Sequence, residues 1–265
     1  MVRVTALGSG SKGNCLVVDL GKTRVAVEAG FGVRMLARHF KAAGIAPESM
    51  AACVITHEHL DHIRGASKAR DKWRWTLMAT PQTFAAAEIG GTARILPTAY
   101  RRPTAFGDAR ITLLPISHDA AAPAAVLIED VVTGARVGIA QDLGAIPEGL
   151  LEAFDRVDVL VIEANHDMGM LRAGPYPPSL QDRVAGPRGH LSNRQCADFV
   201  ARAAHRDMRA IVLAHLSEQN NTPEIARSTV ARALRGSPFR GKLVTAAQHA
   251  ACSVGDAVDV QYRLL

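Results

Sequence analysis

Thr56-His57-Glu58-His59-Leu60-Asp61-His62 governs how the rest of this 265-residue chain is read. Four potential metal ligands, His57, His59, Asp61 and His62, stand within it. The stretch follows directly on Met-Ala-Ala-Cys-Val-Ile-Thr at 50–56, a short apolar run that reads as a buried strand. A strand running into a tight loop splays alternate side chains, so His57 and His59 face one way and Asp61 and His62 another. Imidazole nitrogen together with carboxylate oxygen suits Zn²⁺, and also Mn²⁺ or iron, at a site with an exchangeable position. That geometry serves two neighbouring metals better than one. A polar surface turn does not account for three histidines at this spacing.

Further ligand candidates recur where other strands end. His118 follows the apolar run 111–116, Asp142 follows 136–140, and His215 follows 208–214. Each stands just past a strand, and strand ends gathered on one edge of a sheet give a rigid platform for a site. Strands are also expected at 2–7, 15–20, 24–27, 124–128 and 157–163. Helices are expected at 33–43, at 193–204 behind a Ser192 or Asn193 cap, and from Thr222 with Pro223 in its first turn. A final strand pair is expected near 242–245 and 257–262. The order is strand-rich, then mixed, then alternating, which makes an α/β chain with helices covering sheets. No repeat or long linker divides it, so 1–265 is read as a single domain.

Charge and composition bound the function more loosely. The formal net charge is +6, which favours polyanionic partners. No stretch reaches the length of a membrane span, and residues 1–7 read as a strand rather than a secretory signal, so a cytoplasmic location and no membrane partner are expected. Cys15, Cys53, Cys196 and Cys252 are scattered among apolar neighbours and read as buried, reduced thiols. The loop Gly8-Ser9-Gly10-Ser11-Lys12-Gly13-Asn14 precedes a strand where a P-loop needs a helix, so it reads as a backbone lining for a nearby site. Cations at Arg64, Lys68, Arg70, Lys72 and Arg74, interleaved with Trp73 and Trp75, read as the solvated face of a helix with its tryptophans in the core.

The order of these ligand candidates resembles the metallo-β-lactamase superfamily over essentially the whole chain. The resemblance implies a four-layer αββα sandwich with two divalent metals at one edge of the sheets. It assigns His57, His59 and His118 to the first metal, Asp61, His62 and His215 to the second, and Asp142 to a bridge between them. At one position the chain departs from the pattern: Glu28-Ala29-Gly30 stands where the superfamily has Asp-x-Gly. Because that carboxylate supports the histidine loop from behind, the added methylene is expected to shift its hydrogen bonds.

Five separated segments are similar to the YycJ/WalJ-like exonuclease subgroup: 7–15, 163–167, 174–178, 188–193 and 213–223. That similarity implies a 5′-to-3′ DNA exonuclease, with DNA as the partner and no obligate protein partner. Gln248-His249-Ala250-Ala251 lacks the acidic dipeptide that the similarity leads one to expect after the glutamine. Arg183, Arg188, His190 and Ser192, ending at a helix N-terminus, suit phosphate handling, and Asn165 and His166 are candidates to face the metals. Asp61 and His190 are the expected catalytic pair, Asp61 orienting or deprotonating the nucleophile and His190 stabilising developing charge. A small-molecule hydrolase of a cyclic phosphodiester or thioester on the same metals is the nearer alternative. A non-catalytic metal or nucleic-acid binding module is the remoter one.

Overall fold

A computed structural model describes residues 2–255 and the backbone of 261–263. The first half of the chain builds one sheet. Its strands are β1 (Arg3–Gly8), β2 (Cys15–Asp19), β3 (Arg24–Val27), β4 (Met50–Val54), β5 (Thr76–Ala79) and β6 (Ile95–Pro97). Between them lie the helices α1 (Val33–Ala42), α2 (Leu60–Ile63), α3 (Ala66–Trp73) and α4 (Pro81–Ala86). The second half builds another sheet from β7 (Thr104–Phe106), β8 (Ala109–Pro115), β9 (Ala124–Asp130), β10 (Arg136–Ala140), β11 (Val159–Glu163), β12 (Ala210–Ala214) and β13 (Lys242–Thr245). Its helices are α5 (Leu150–Ala153), α6 (Met168–Ala173), α7 (Pro178–Ala185), α8 (Asn193–Ala203) and α9 (Pro223–Ala233). The chain then returns to the first sheet with β14 (Ala250–Gly255) and β15 (Gln261–Arg263).

The sheet orders are β15-β14-β1-β2-β3-β4-β5-β6 and β13-β12-β11-β10-β9-β8-β7. Period-2 alternation explains how both faces of each sheet are buried. On β2, Leu16 and Val18 join the core between the sheets, while Cys15 and Val17 face the helices outside. On β11, Val159 and Val161 point inward and Leu160 and Ile162 outward. Leu36 and Phe40 of α1 and Trp73 of α3 cover the first sheet; Cys196, Phe199 and Val200 of α8 cover the second. Each fully buried aliphatic side chain contributes roughly 1.5–3 kcal/mol to this packing. The layers run helix, sheet, sheet, helix, as expected from the resemblance.

Two expectations are corrected, and a third falls partly outside the described residues. The closing strands do not pair with each other: β13 lies beside β12 in the second sheet, whereas β14 joins β1 in the first, with Val4 opposite Val254. Of the expected strand 257–262, residues 257–260 lie outside the described residues and Gln261–Arg263 forms β15. Cys15, Cys53 and Cys196 are buried free thiols, but Cys252 is only half-buried. Among the described residues, no helix is long and apolar enough to cross a membrane.

Strand direction places the site. β3 and β4 run parallel in the first sheet, and β10, β11 and β12 run parallel in the second. Reversal through β9 gives β8 the same direction as β10. Their carboxyl ends therefore meet at one edge of the sandwich, the usual place for a ligand in α/β sheets.

Candidate metal centre

Each of these strand ends delivers a polar side chain. Glu28 follows β3, His57 lies three residues beyond β4, His118 follows β8, Asp142 follows β10, Glu163 ends β11 and His215 follows β12. Glu28, Asp142 and His215 take left-handed backbone, with φ of 69°, 54° and 53°. For residues with a Cβ this conformation is uncommon, and such outliers cluster at functional sites. The chain turns sharply at each strand end and aims the side chain into the edge rather than along the strand. Gly30 makes the tight packing behind the histidine loop possible, since a Cβ there would lie 1.6 Å from the Asp61 carbonyl oxygen. Backbone bonds from Ala29 N–H to His62 O and from Asn14 N–H to Asp61 O, both 2.8 Å, then fasten the loop.

Four overlapping groups of potential ligating atoms result, and two of them hold the sets expected from the sequence. In the first, His59 Nδ1 and His118 Nε2 point at one another across 3.3 Å, and His57 Nε2 is buried beside them without a hydrogen-bond partner. The far nitrogens of two of these rings are held by neutral groups, His57 Nδ1 by the Thr56 hydroxyl at 3.0 Å and His118 Nδ1 by Gly189 O at 3.0 Å. Burial pushes His57 well below the ordinary histidine range, with His62 adding to the effect. It lowers His118 as well, His190 adding to it. Both rings therefore stand neutral, with lone pairs to offer.

In the second cluster, Asp61 Oδ2 lies 3.3 Å from His62 Nε2 and 3.3 Å from His215 Nε2. Here the rings are backed by carboxylates. His62 Nδ1 is 3.2 Å from Glu28 Oε1, close enough for charge attraction but not aligned as a hydrogen bond. His215 Nδ1 is 3.0 Å from Glu163 Oε1. Burial opposes charge on both rings, yet Asp142 and Glu28 hold His62 well above its ordinary range. Asp142, with Asp61 and Glu163, lifts His215 to about 9. Burial likewise opposes ionisation of Asp61, and its bonds to His215 and His62 outweigh it, keeping that carboxyl well below its usual range.

Asp142 lies beside the second cluster, and its charge reaches the first. Its Oδ2 is 2.9 Å from His62 Nε2, its Oδ1 is 3.2 Å from both His190 Nδ1 and His215 Nδ1, and its charge acts on His57 and His118 as well. Buried polar atoms normally find partners, so the unpartnered His57 Nε2 and the convergence of two lone-pair nitrogens fit a cation at this place. The donor set of five imidazoles and two carboxylates, His57, His59, His118, Asp61, His62, His215 and Asp142, fits divalent metals in two groups.

Comparison with known proteins shows the family. A family model described as a β-lactamase superfamily domain matches residues 23–216. The chain is 30% identical over 238 residues to exodeoxyribonuclease WalJ of Streptococcus pneumoniae, covering 88% of each protein. This chain belongs to the metallo-β-lactamase superfamily. It is also 30% identical over 243 residues to exodeoxyribonuclease YycJ of Bacillus anthracis, covering 89% of this chain and 90% of that one. The metallo-β-lactamase fold protein YhfI from Bacillus subtilis superposes with a TM-score of 0.72 at 15% identity, over 95% of this chain and 98% of that one.

The superfamily member's cleft, about 240 Å³, opens over the two clusters and is walled by Leu180, Arg183 and Val184 of α7. His59, Asp61, His118, Asp142, His190 and His215 line it. The other residues expected to handle phosphate divide sharply. Arg183 reaches the cleft, where its Nε donates to Asp119 Oδ2 at 2.9 Å. Arg188 is exposed and does not line the cleft. Ser192 caps α8 in a reciprocal capping box with Gln195 and is buried. Asn165 is buried and donates to His215 O at 3.0 Å, fixing the turn that aims that histidine. His166 is fully buried with both ring nitrogens unpartnered, and burial pushes it down to about 4.

Three supporting residues escaped the sequence reading. Glu163 is fully buried; its Oε2 accepts from the amides of Leu143 and Leu191 at 3.0 Å, and its Oε1 from His190 at 2.8 Å and His215. Despite burial, the charge of His190 and its bonds to His190 and His215 hold Glu163 down at about 2. Asn14 places its Nδ2 3.3 Å from His62 Nε2, and Ser9 Oγ accepts from the His215 amide at 2.9 Å. The glycine-rich loop thus reaches the site, through the Ser9 and Asn14 side chains rather than the expected backbone lining. Gln248 pins it from outside, donating to Gly13 O at 2.8 Å.

Proposed function

We propose that this protein is a dinuclear metal-dependent phosphodiesterase that degrades DNA as a 5′-to-3′ exonuclease. The observation that carries the reading is the convergence of seven ligating side chains from both sheets beneath an open cleft. The two relatives named exodeoxyribonuclease, matched over nearly nine-tenths of their length, support the choice of substrate. In this reading His57, His59 and His118 hold one metal, Asp61, His62 and His215 the other, and Asp142 serves both. Zinc suits the imidazole-rich first group, and manganese or iron is compatible with the carboxylates of the second. Bound there, paired divalent cations supply Lewis-acid polarisation of phosphoryl oxygens and acidify a water toward neutral pH.

The protein's own groups do the rest. Asp61, kept ionised by two histidines and 21% exposed to the cleft, orients the attacking water and accepts its proton. His190 is anchored through Nδ1 by Glu163 and Asp142, which leaves Nε2 as its donor toward substrate. Those carboxylates hold its pKa well above the ordinary histidine range against burial. A protonated His190 donates to a phosphoryl or leaving oxygen as charge grows there. Arg183, at the cleft wall, exchanges its bond to Asp119 for a substrate phosphate.

The test is degradation of end-labelled linear DNA by metal-stripped protein resupplied separately with Mn²⁺ and Zn²⁺. Nucleotides released progressively from the 5′ end are expected. Intact DNA under both metals, with turnover of a simple phosphodiester or thioester, would move the substrate to a small molecule.

A further inference from the structure

The run of cations at 64–74 reads from sequence as the solvated face of a helix with its tryptophans in the core, and the structure agrees, but its members do different work. Arg70 bonds Asp71 at 2.8 Å and the Gly90 carbonyl at 3.0 Å. The Lys72 ammonium lies 5.8 Å from the Trp73 ring centroid. Trp73 and Trp75 themselves are buried in the layer covering the first sheet. Those residues serve the fold. Arg64 and Lys68 do something else: with Arg34 and Arg38 of α1 they line a groove of about 530 Å³. All four are exposed, no Asp or Glu lines the groove, and among the described residues none of the four forms an ion pair.

Such an arrangement is unfavourable for the fold alone. Arg34 and Arg38 are four residues apart on one helix, Arg64 and Lys68 are four apart on the neighbouring segment, and like charges at that spacing repel. The N-terminal end of α1 adds to the positive field. It begins at Gly32, which lines the groove, with no side-chain cap and no acidic residue in its first turn. A helix start in that condition attracts anions. Met35, 41% exposed, offers an apolar surface among the cations.

The groove is joined to the metal loop. Arg64 follows His62 by two residues, and Gly65 N–H donates to Ala29 O at 2.8 Å, tying the start of α3 to the turn after Glu28. We infer that this groove carries the phosphodiester backbone of the DNA strand beyond the nucleotide being cleaved, a surface that grips the polymer while the metal centre works on its end. The inference rests on the exonuclease reading for its occupant. Physically it needs only a polyanionic strand: four cations and an open helix start supply the electrostatic part of a sequence-tolerant single-strand track, and Met35 an apolar contact where such tracks carry aromatic rings.

Binding tests it apart from catalysis. The probe is a fluorescein-labelled single-stranded DNA 20-mer, followed by anisotropy with metal-free protein at several salt concentrations. Replacing Arg34, Arg38, Arg64 and Lys68 by Ala is expected to weaken binding at least ~10-fold. It should also flatten the slope of log affinity against log salt by about 3, from ~0.7 per phosphate contact. The paired variants Arg34→Ala/Arg38→Ala and Arg64→Ala/Lys68→Ala should each remove about half of that slope, and Arg34→Lys/Arg38→Lys should retain it. Hydrolysis of a short phosphodiester by the metal-loaded variants should stay at the wild-type rate. Unchanged affinity and slope in the folded variants would overturn the groove, even with exonuclease activity intact. Loss of binding in the variants, with a wild-type protein that leaves DNA whole under every metal, would keep the groove and remove the exonuclease reading instead.

Discussion

The two halves of the proposed metal centre are built on opposite electrostatic plans. Around His57, His59 and His118, two rings rest against a hydroxyl and a carbonyl, and burial keeps them neutral. Around Asp61, His62 and His215, the rings are backed by buried Glu28 and Glu163 and hold protons in the absence of metal. The first half is ready for a cation as it stands. The second would have to release protons to hold one, and its carboxylates would then hold the ligand rings in place. Residues from the two sheets share the work: the histidine loop and Glu28 come from the first, and His118, Asp142, Glu163 and His215 from the second.

The largest effects should come from removing a ligand. His118→Ala and His215→Ala are each expected to lower turnover of a phosphodiester by more than ~100-fold, beyond the range for supporting groups. The variants should part company in metal content, each keeping the ion of the intact half; loss of both ions from both variants would erase the distinction drawn between the halves. Next in size is Glu163→Gln, which leaves the shape but removes the charge behind His215 and His190. A loss of about 10–100-fold in affinity for the second metal is expected, with the first held near its wild-type affinity. Metal titration followed by elemental analysis reads both.

A pH dependence sharpens the same contrast. With His62 raised well above its ordinary range and His215 at about 9, both are protonated at neutral pH, and metal must displace those protons. Second-metal affinity should therefore rise as pH climbs toward about 9, while the first, where burial lowers His57 and His118, changes little above pH 7. Calorimetry in buffers of different ionisation enthalpy counts the released protons; zero release would contradict the carboxylate-backed half. The smallest effect belongs to Ser192→Ala. Loss of its cap should lower stability by about 0.5–2 kcal/mol in denaturant melts, with phosphodiester turnover unchanged.

How much of this was legible in the chain follows from where the information lies. His57 through His62 and the single polar residues after apolar runs at 118, 142 and 215 are local signals, and the structure gathers all seven side chains at one edge. The supports are not local. Glu163 acts on His190 and His215, 27 and 52 residues away in sequence, and at the end of an apolar strand it looks like an ordinary strand terminus. Ser192 shows the reverse: its neighbours suggested phosphate, but Gln195 three residues on completes a capping box that uses the hydroxyl inside the fold. The short helices α2, α5 and α6 were missed because four to six residues are too few to show a period and are held by packing rather than propensity. The return of β14 to β1 had no local signal either, since it depends on pairing across some 250 residues.

The metal content of the purified protein, loaded at pH 7.5 and then freed of loose ions, tests the centre most directly. Two ions per chain are expected, falling to one when the first or the second group loses a histidine. A wild-type protein that binds one ion or none under saturating Mn²⁺ and Zn²⁺ would contradict the dinuclear centre on which the proposed chemistry depends.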